Sequence, residues 1–255
     1  MIGCGKMGGA LLGHWMDGEE QFTIVDPALE TAPSGARLVR ERADLADERF
    51  DIIIVAIKPQ MIDDILPDYA AMLAAGGYVL SIAAGCSIDR LSRLAGGVPV
   101  IRVMPNLPAA VGKGVSGVCA GPGADGPPLA HAVAMMGRTG TCVTVETEDQ
   151  IDKVTAVAGS GPGYVFELAR AYVEAAEGMG FSPDDARAIV LGTLEGAIAM
   201  ALEPDAPALE ELRNSVTSKG GTTAAGLAAL NGDGALSQRL RETLEAAYNR
   251  AVELR

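Results

Sequence analysis

The rhythm of apolar positions changes once along this chain, near residue 146. Before that point, short β-branched runs alternate with stretches of helical spacing. Phe22–Val25, Asp51–Ile57, Tyr78–Ile82, Val98–Met104, Gly114–Ala120 and Thr141–Val145 read as strands, and Gln60–Leu73, Ser87–Ala95 and Leu129–Met136 as helices. Asp51–Ile57 (DIIIVAI) lacks polar alternation, which is the pattern of a strand covered on both faces. Strands separated by helices of this length predict a mostly parallel sheet with helices on both sides. After residue 146 no strand pattern is found. Gln150–Ala158, Tyr164–Met179, Pro183–Leu202, Ala208–Val216, Ala224–Leu230 and Ala235–Leu254 read as helices, with Ser182 capping the one that opens at Pro183. The chain is therefore expected to hold an α/β domain over 1–146 and an all-α domain over 147–255. The helices of the second are Ala-rich and apolar on more than one face, so a helical partner from a second subunit is expected to cover them.

The α/β half opens on Gly3-Cys4-Gly5-Lys6-Met7-Gly8, a G-x-G-x-x-G sequence. In a dinucleotide-binding fold the first glycine makes the tight turn and the second lets backbone approach the pyrophosphate. The third lets helix and strand pack closely. The motif alone says little: with 32 glycines in 255 residues, chance supplies about half a match. Two more matches occur, beginning at Gly112 and Gly121, but the first runs into a strand and the second lies in a Pro/Gly-rich loop. Only Gly3–Gly8 opens a helix, which points to a Rossmann-type domain with Gly3, Gly5, Lys6, Met7 and Gly8 at the cofactor. Just Met1 and Ile2 precede it, where a full central strand belongs. Either the start of the chain is lost or misassigned, or the fold lacks most of its first strand. Asp26 follows the next strand, about 20 residues on, where an acid bonds the adenine ribose hydroxyls and repels a 2′-phosphate. Alternatively it is a turn residue before Pro27, and Arg37 is a candidate phosphate partner.

Composition narrows the field. At 49% hydrophobic residues the chain can build a core, and a net charge of −13 without a Lys/Arg cluster argues against nucleic acid. The four cysteines (Cys4, Cys86, Cys119 and Cys142) form no C-x-x-C pair and read as reduced thiols. Two histidines make a His-rich metal site unexpected. No apolar run suits a membrane span and no signal peptide is recognisable, so a cytoplasmic location is expected.

Five further segments, in order, resemble the pyrroline-5-carboxylate reductase family. They are Ala56-Ile57-Lys58-Pro59-Gln60, Ser81-Ile82-Ala83-Ala84-Gly85, Arg102-Val103-Met104-Pro105-Asn106-Leu107-Pro108, Gly159-Ser160-Gly161-Pro162-Gly163-Tyr164-Val165-Phe166 and Ser218-Lys219-Gly220-Gly221-Thr222-Thr223. The resemblance covers nearly the whole chain from Gly3. It implies a dinucleotide domain followed by an interlocking helical dimerisation domain, giving a homodimer or higher homo-oligomer. It also implies reduction of 1-pyrroline-5-carboxylate by NADH or NADPH, the last step of proline biosynthesis. Ile57, Lys58 and Pro59, with Ala83, Ala84 and Gly85, are implied to line the nicotinamide side of the cofactor. Ser218, Gly221, Thr222 and Thr223 are implied to hold the substrate carboxylate.

The residues support these roles independently in part. Lys58-Pro59 and Met104-Pro105-Asn106 follow strands at their carboxyl ends, where open sheets bind ligands. Asn106 has the donors and acceptors for a carboxamide or the substrate, or is simply a turn former. In Ser218–Thr223 the paired glycines free the backbone and a threonine is expected to cap the following helix, a setting for a carboxylate. Glu167 either faces the site or is a solvated helix charge. Lys219, Ala158, Gly163 and Leu107 depart from the family's usual residues, which bears on affinity more than on reaction type. The competing readings are a related imine or β-hydroxyacid reductase of the same architecture, and a non-catalytic nucleotide-sensing protein. Against the β-hydroxyacid enzymes, the helix over Tyr164–Met179 has no lysine to serve as proton donor.

Overall fold

The computed structural model describes residues 1–33 and 35–255. They form two compact units, Met1–Pro162 with Ala246–Arg255, and Gly163–Glu245. In the first unit, β1 (Thr23–Val25) pairs in parallel with β2 (Arg37–Val39). β3 (Phe50–Val55), β4 (Leu73–Ser81), β5 (Val100–Met104), β6 (Gly114–Ala120) and β7 (Gly140–Val145) follow in that spatial order. All neighbouring pairs are parallel except β5 and β6. That exception has a simple cause. Only Pro105–Lys113 connects the two strands, and a parallel return needs a crossover of a dozen residues or more.

The two strand groups are joined by Ile2, which bridges Val25 on one side and Val55 on the other. Its N–H donates to the Ile54 carbonyl (2.7 Å) and its carbonyl accepts from Ala56 N–H (2.9 Å). Across the other edge Val25 N–H donates to Met1 O and Gly3 N–H to Val25 O, both at 2.9 Å. Two residues thus stand in the place of a central strand. β2 carried no sequence signal because it is only three residues long and is formed by its partner, not by its own alternation.

Side chains alternate across the sheet. Ile53 and Val55 join the cluster with Leu66 of α2 (Ile62–Ala70), Leu91 of α3 (Ile88–Leu94) and Ile151 of α5 (Glu148–Val154). Ile54 points to the other face, with Leu11, Leu12 and Trp15 of α1 (Lys6–Trp15) and Met135 and Met136 of α4 (Pro127–Gly137). This is why the run around Asp51–Ile57 is apolar throughout. Trp15 Nε1 donates to Met135 O (3.0 Å), stitching α1 to α4. Glu20 ties the loop after α1 to the same helix, accepting from Arg138 at 2.6 and 2.9 Å and meeting His131 Nε2 at 2.9 Å.

After α5 the chain does not break at its glycines. A π turn over Thr155–Gly159, closed by Ser160 N–H to Thr155 O (2.8 Å), runs on to α6 (Gly161–Gly178). Pro162 is accommodated because the first turn of a helix needs no N–H from it. The second unit takes in most of α6, together with α7 (Pro183–Ala201), α8 (Leu209–Ser215), α9 (Thr222–Asn231) and the start of α10 (Ala235–Leu254). Ser182 caps α7 as expected, accepting from Asp185 N–H. The core of this unit is Ala176, Ala186 and Val190, small for five helices.

The Arg138 hydrogen bonds hold the Glu20 carboxyl at about 2, below its ordinary 4.5. Glu20 therefore binds protons less readily folded than unfolded, and its stabilisation is complete above pH 4.5 and lost as pH falls toward 2. Glu20→Gln should lower Tm by about 2–8 °C at pH 7. In thermal melts the gap to the parent should close between pH 4.5 and 2; a gap constant through that range would refute this role.

Candidate functional site

Each glycine of the first turn has its own reason. Gly3 has φ +78°, and a Cβ there would lie 2.7 Å from Ile57 Cγ2 and 3.0 Å from the Ala56 carbonyl. At Gly8 a Cβ would meet Met1 Cε at 2.5 Å and Ala56 Cβ at 3.3 Å, so α1 packs closely on the strand beneath it. Gly5 is different. It is the N-cap of α1, and a Cβ there would have nothing within 4 Å among the described residues. Gly9 N–H bonds back to Gly5 O (2.8 Å), which leaves the N–H groups of Lys6, Met7 and Gly8 without helical partners. A bare, positive helix end with open space before it fits a diphosphate. The turn sits where the strand order reverses, beside Ile2 between β1 and β3, the usual crevice of open α/β sheets.

Asp26 is a turn residue that also bonds to the glycine turn. Its Oδ2 accepts from Cys4 N–H of the glycine turn (2.8 Å), and its Oδ1 accepts from Ala28 N–H (2.9 Å) in the local bond of a turn residue. Arg37 is engaged elsewhere, with Glu48 Oε1 (2.7 Å) and Asp44 O (3.3 Å).

The exits of β3 and β4 lie next to this turn. Ile57 packs on Gly3, and Lys58 caps a short 3-10 turn, Pro59–Met61. Ile82 N–H reaches Val55 O (3.1 Å) and Ala83 N–H reaches Ser81 Oγ (3.2 Å), while Ala84 is exposed. A Cβ on Gly85 would come within 2.5 Å of Leu254 O, so the end of α10 lies directly on this turn.

Beneath it is a group of charges that sequence reasoning missed. Arg102, in the middle of β5 and 2% exposed, donates to Glu148 Oε1 (2.7 Å) and lies 3.5 Å from Asp152 Oδ1. The same Glu148 oxygen accepts from Ile88 N–H (2.9 Å), the first residue of α3 after the Ala83–Gly85 turn. Asp152, 1% exposed, also lies 2.9 Å from Arg255 Nη1. The available signals were a lone arginine inside the apolar strand VIRVM and the acids at Glu148 and Asp152, one helical turn apart. A separation of 46 residues between Arg102 and Glu148 hid the pairing.

Asn106 is 6% exposed and holds backbone at both ends of its amide. Nδ2 donates to Ala158 O (2.9 Å) and Oδ1 accepts from Val115 N–H (2.8 Å). It ties the exit of β5 to β6 and to the π turn, and keeps one amide hydrogen for a further contact.

Ser218–Thr223 belongs to the second unit. Gly221, not a threonine, is the N-cap of α9, because the chain enters the helix one residue earlier than the threonines require. Thr222 and Thr223 stand in the first turn, and no side-chain cap bond forms. Ala225 N–H bonds to Gly221 O (3.2 Å), so the N–H groups of Thr222, Thr223 and Ala224 precede the first helical bond. Ser218 Oγ occupies the position a Cβ on Gly221 would need. The result is a second bare helix end, with exposed Ser218 and the threonine hydroxyls beside it. Glu167 pairs with Arg170 on its own helix (2.9 Å), both exposed, as a solvated charge.

Comparison with known proteins finds two matching family models. Residues 148–254 match a family model described as pyrroline-5-carboxylate reductase dimerisation, and residues 1–85 one described as NADP oxidoreductase, coenzyme F420-dependent. The chain is 34% identical to the pyrroline-5-carboxylate reductase of Haemophilus influenzae, over 99% of this chain and 96% of that one. It belongs to the pyrroline-5-carboxylate reductase family. A solved family member from Coxiella burnetii superposes with a TM-score of 0.90 at 30% identity, covering 99% of this chain and 96% of that one. The Plasmodium falciparum pyrroline carboxylate reductase, solved with NADP bound, gives 0.84 at 25% identity, with 99% and 96% covered. The full-length match supports the five ordered segments as one resemblance, in place of five separate coincidences.

Proposed function

We propose that this protein reduces the C=N bond of 1-pyrroline-5-carboxylate to give L-proline, the last step of proline biosynthesis, using NADH or NADPH. The observation that carries the reading is the bare N-terminus of α1 behind Gly5, set in a chain similar over its length to known reductases of this substrate. When bound, the nicotinamide supplies a hydride to the ring carbon of the imine. The N–H groups of Lys6, Met7 and Gly8 would hold the diphosphate and Asp26 the adenine ribose. Ile57, Lys58 and Pro59, together with Ala83, Ala84, Gly85 and the remaining amide hydrogen of Asn106, would border the nicotinamide. Ser218, Gly221, Thr222 and Thr223 would hold the substrate carboxylate through N–H groups and hydroxyls.

A protonated imine is already electrophilic, so the protein's task is to bring two carbons together and exclude water. A dedicated general acid is not required. His131 is engaged with Glu20 (2.9 Å) and the Tyr78 hydroxyl (3.1 Å), which suits a structural role. The β-hydroxyacid reading is weakened by the absence of lysine from α6.

In this reading residues 1–146 serve the cofactor and 147–255 serve substrate and subunit contact, in a homodimer or larger homo-oligomer. Support comes from the second unit, where Phe166, Met179, Leu202 and Leu209 are 63–82% exposed. Covering each large side chain is worth roughly 1.5–3 kcal/mol, and a second copy of the same helices offers the matching surface. A cytoplasmic location is supported by four cysteines that are all free thiols; recovery of the native protein with membranes or in the periplasm would count against it. No described helix is long and apolar enough to cross a membrane.

The purified protein should oxidise NADH or NADPH when given 1-pyrroline-5-carboxylate and form proline. Thr223→Ala should raise the substrate KM at least several-fold, with nucleotide affinity nearly unchanged. Folded protein without turnover on either cofactor would refute the reaction, and an unchanged KM would remove Thr223 from the site. Light scattering should give a mass of two chains or more, and Phe166→Asp should shift it downward. A single-chain mass in the parent would refute the oligomer.

A further inference from the structure

Asp26 carries an inference that rests on reading Gly3–Gly8 as the dinucleotide site. We propose that Asp26 makes this chain select NADH over NADPH. The two cofactors differ at one place, the adenine ribose, where NADPH carries a phosphate on the 2′-oxygen and NADH a hydroxyl. An acid at the end of the strand after the glycine turn serves the hydroxyl and repels the phosphate.

The carboxylate of Asp26 is fixed at both oxygens. Oδ2 accepts from Cys4 N–H within the turn (2.8 Å), and Oδ1 accepts from Ala28 N–H (2.9 Å). It cannot swing aside for a phosphate without breaking two backbone hydrogen bonds, one of which shapes the glycine turn itself. A carboxylate has about four acceptor positions, so each oxygen keeps one for a ribose hydroxyl. The side chain is anchored and still able to accept.

A 2′-phosphate would need a cation in compensation. From Asp26 to Arg40 the sequence supplies two, Arg37 and Arg40. Arg37 is held by Glu48 Oε1 (2.7 Å) and Asp44 O (3.3 Å). Arg40 donates to three carbonyls of the loop that follows β1: Pro27 (3.4 Å), Leu29 and Glu30 (3.3 Å). Its guanidinium serves to hold the backbone of that loop. Glu30 adds a second negative charge to the same loop. Lys6 is the first residue of α1, at the end that suits the diphosphate. The ribose end therefore carries a fixed anion, and both nearby guanidinium groups are engaged. The Plasmodium falciparum relative holds NADP; the preference proposed here comes from this chain's own loop.

The test is calorimetric titration of the full chain with NADH and with NADPH in separate runs at the same ionic strength. NADH should bind at least roughly tenfold tighter, a difference of about 1.4 kcal/mol. Asp26→Asn removes the charge and keeps one oxygen for Cys4 N–H. It should move the NADPH-to-NADH affinity ratio about tenfold toward NADPH. Equal or tighter binding of NADPH by the parent would overturn the proposal and leave the reductase reading standing, as would an Asp26→Asn ratio that does not move. Failure of the folded parent to bind either nucleotide would overturn the cofactor site itself, and this inference with it.

Discussion

Ile2 bonds to Ile54 and Ala56 across one edge, and its neighbours Met1 and Gly3 bond to Val25 across the other. The rest of the first unit depends on this two-residue bridge. It joins the β1–β2 pair to the five-stranded group, and it launches the chain into Gly3 with the direction that α1 follows. Gly3 and Gly8 are required because Ala56 and Ile57 stand so close, and that closeness is set by the same hydrogen bonds. Asp26 then fixes the turn from the β1 side through Cys4. A bare helix end suited to an anion is produced by backbone geometry, with side chains used mainly to hold the backbone in place.

A second constraint links the turns of the site to one another. Arg102 is buried in the sheet and would be costly there alone. Glu148 and Asp152 compensate it, and Glu148 also receives the N–H at the start of α3. A charge requirement inside the sheet thus fixes the position of the Ala83–Gly85 turn. The end of α10 covers that turn at Leu254, and Tyr248 on the same helix donates to Asp149. Removing one partner from such a buried group typically costs about 3–5 kcal/mol. This network is therefore as much a part of the site as the residues that would touch the cofactor.

Much of this was legible in the sequence, for reasons that can be named. Strands such as Asp51–Ile57 announce themselves because both faces are buried, and α7 because Ser182 and Pro183 mark its start. The glycine turn was legible only from its context ahead of a helix, since the same pattern recurs at Gly112 and Gly121. What stayed hidden depends on pairing at a distance. β2 exists through β1, and the antiparallel return of β6 follows from the length of a loop. Arg102 meets its partners after a separation of 46 residues. Asn106 gave a hint of function by its place at a strand end, but no pattern shows that its amide holds Val115 and Ala158. The threonines at 222 and 223 looked like caps; in the fold Gly221 takes that position and leaves their hydroxyls available.

If the bare end of α1 receives the diphosphate, Gly5 is the position that isolates this role. Among the described residues a Cβ there touches nothing, and φ is −69°, within the range any residue adopts. Gly5→Ala should therefore keep the unliganded Tm within a few degrees of the parent, since the cap itself is worth about 1 kcal/mol or less. Its affinity for the preferred nicotinamide cofactor, measured by calorimetry, should fall roughly tenfold or more, because the methyl group occupies the space before the free N–H groups. Unchanged affinity in the folded variant would contradict the account and place the diphosphate elsewhere.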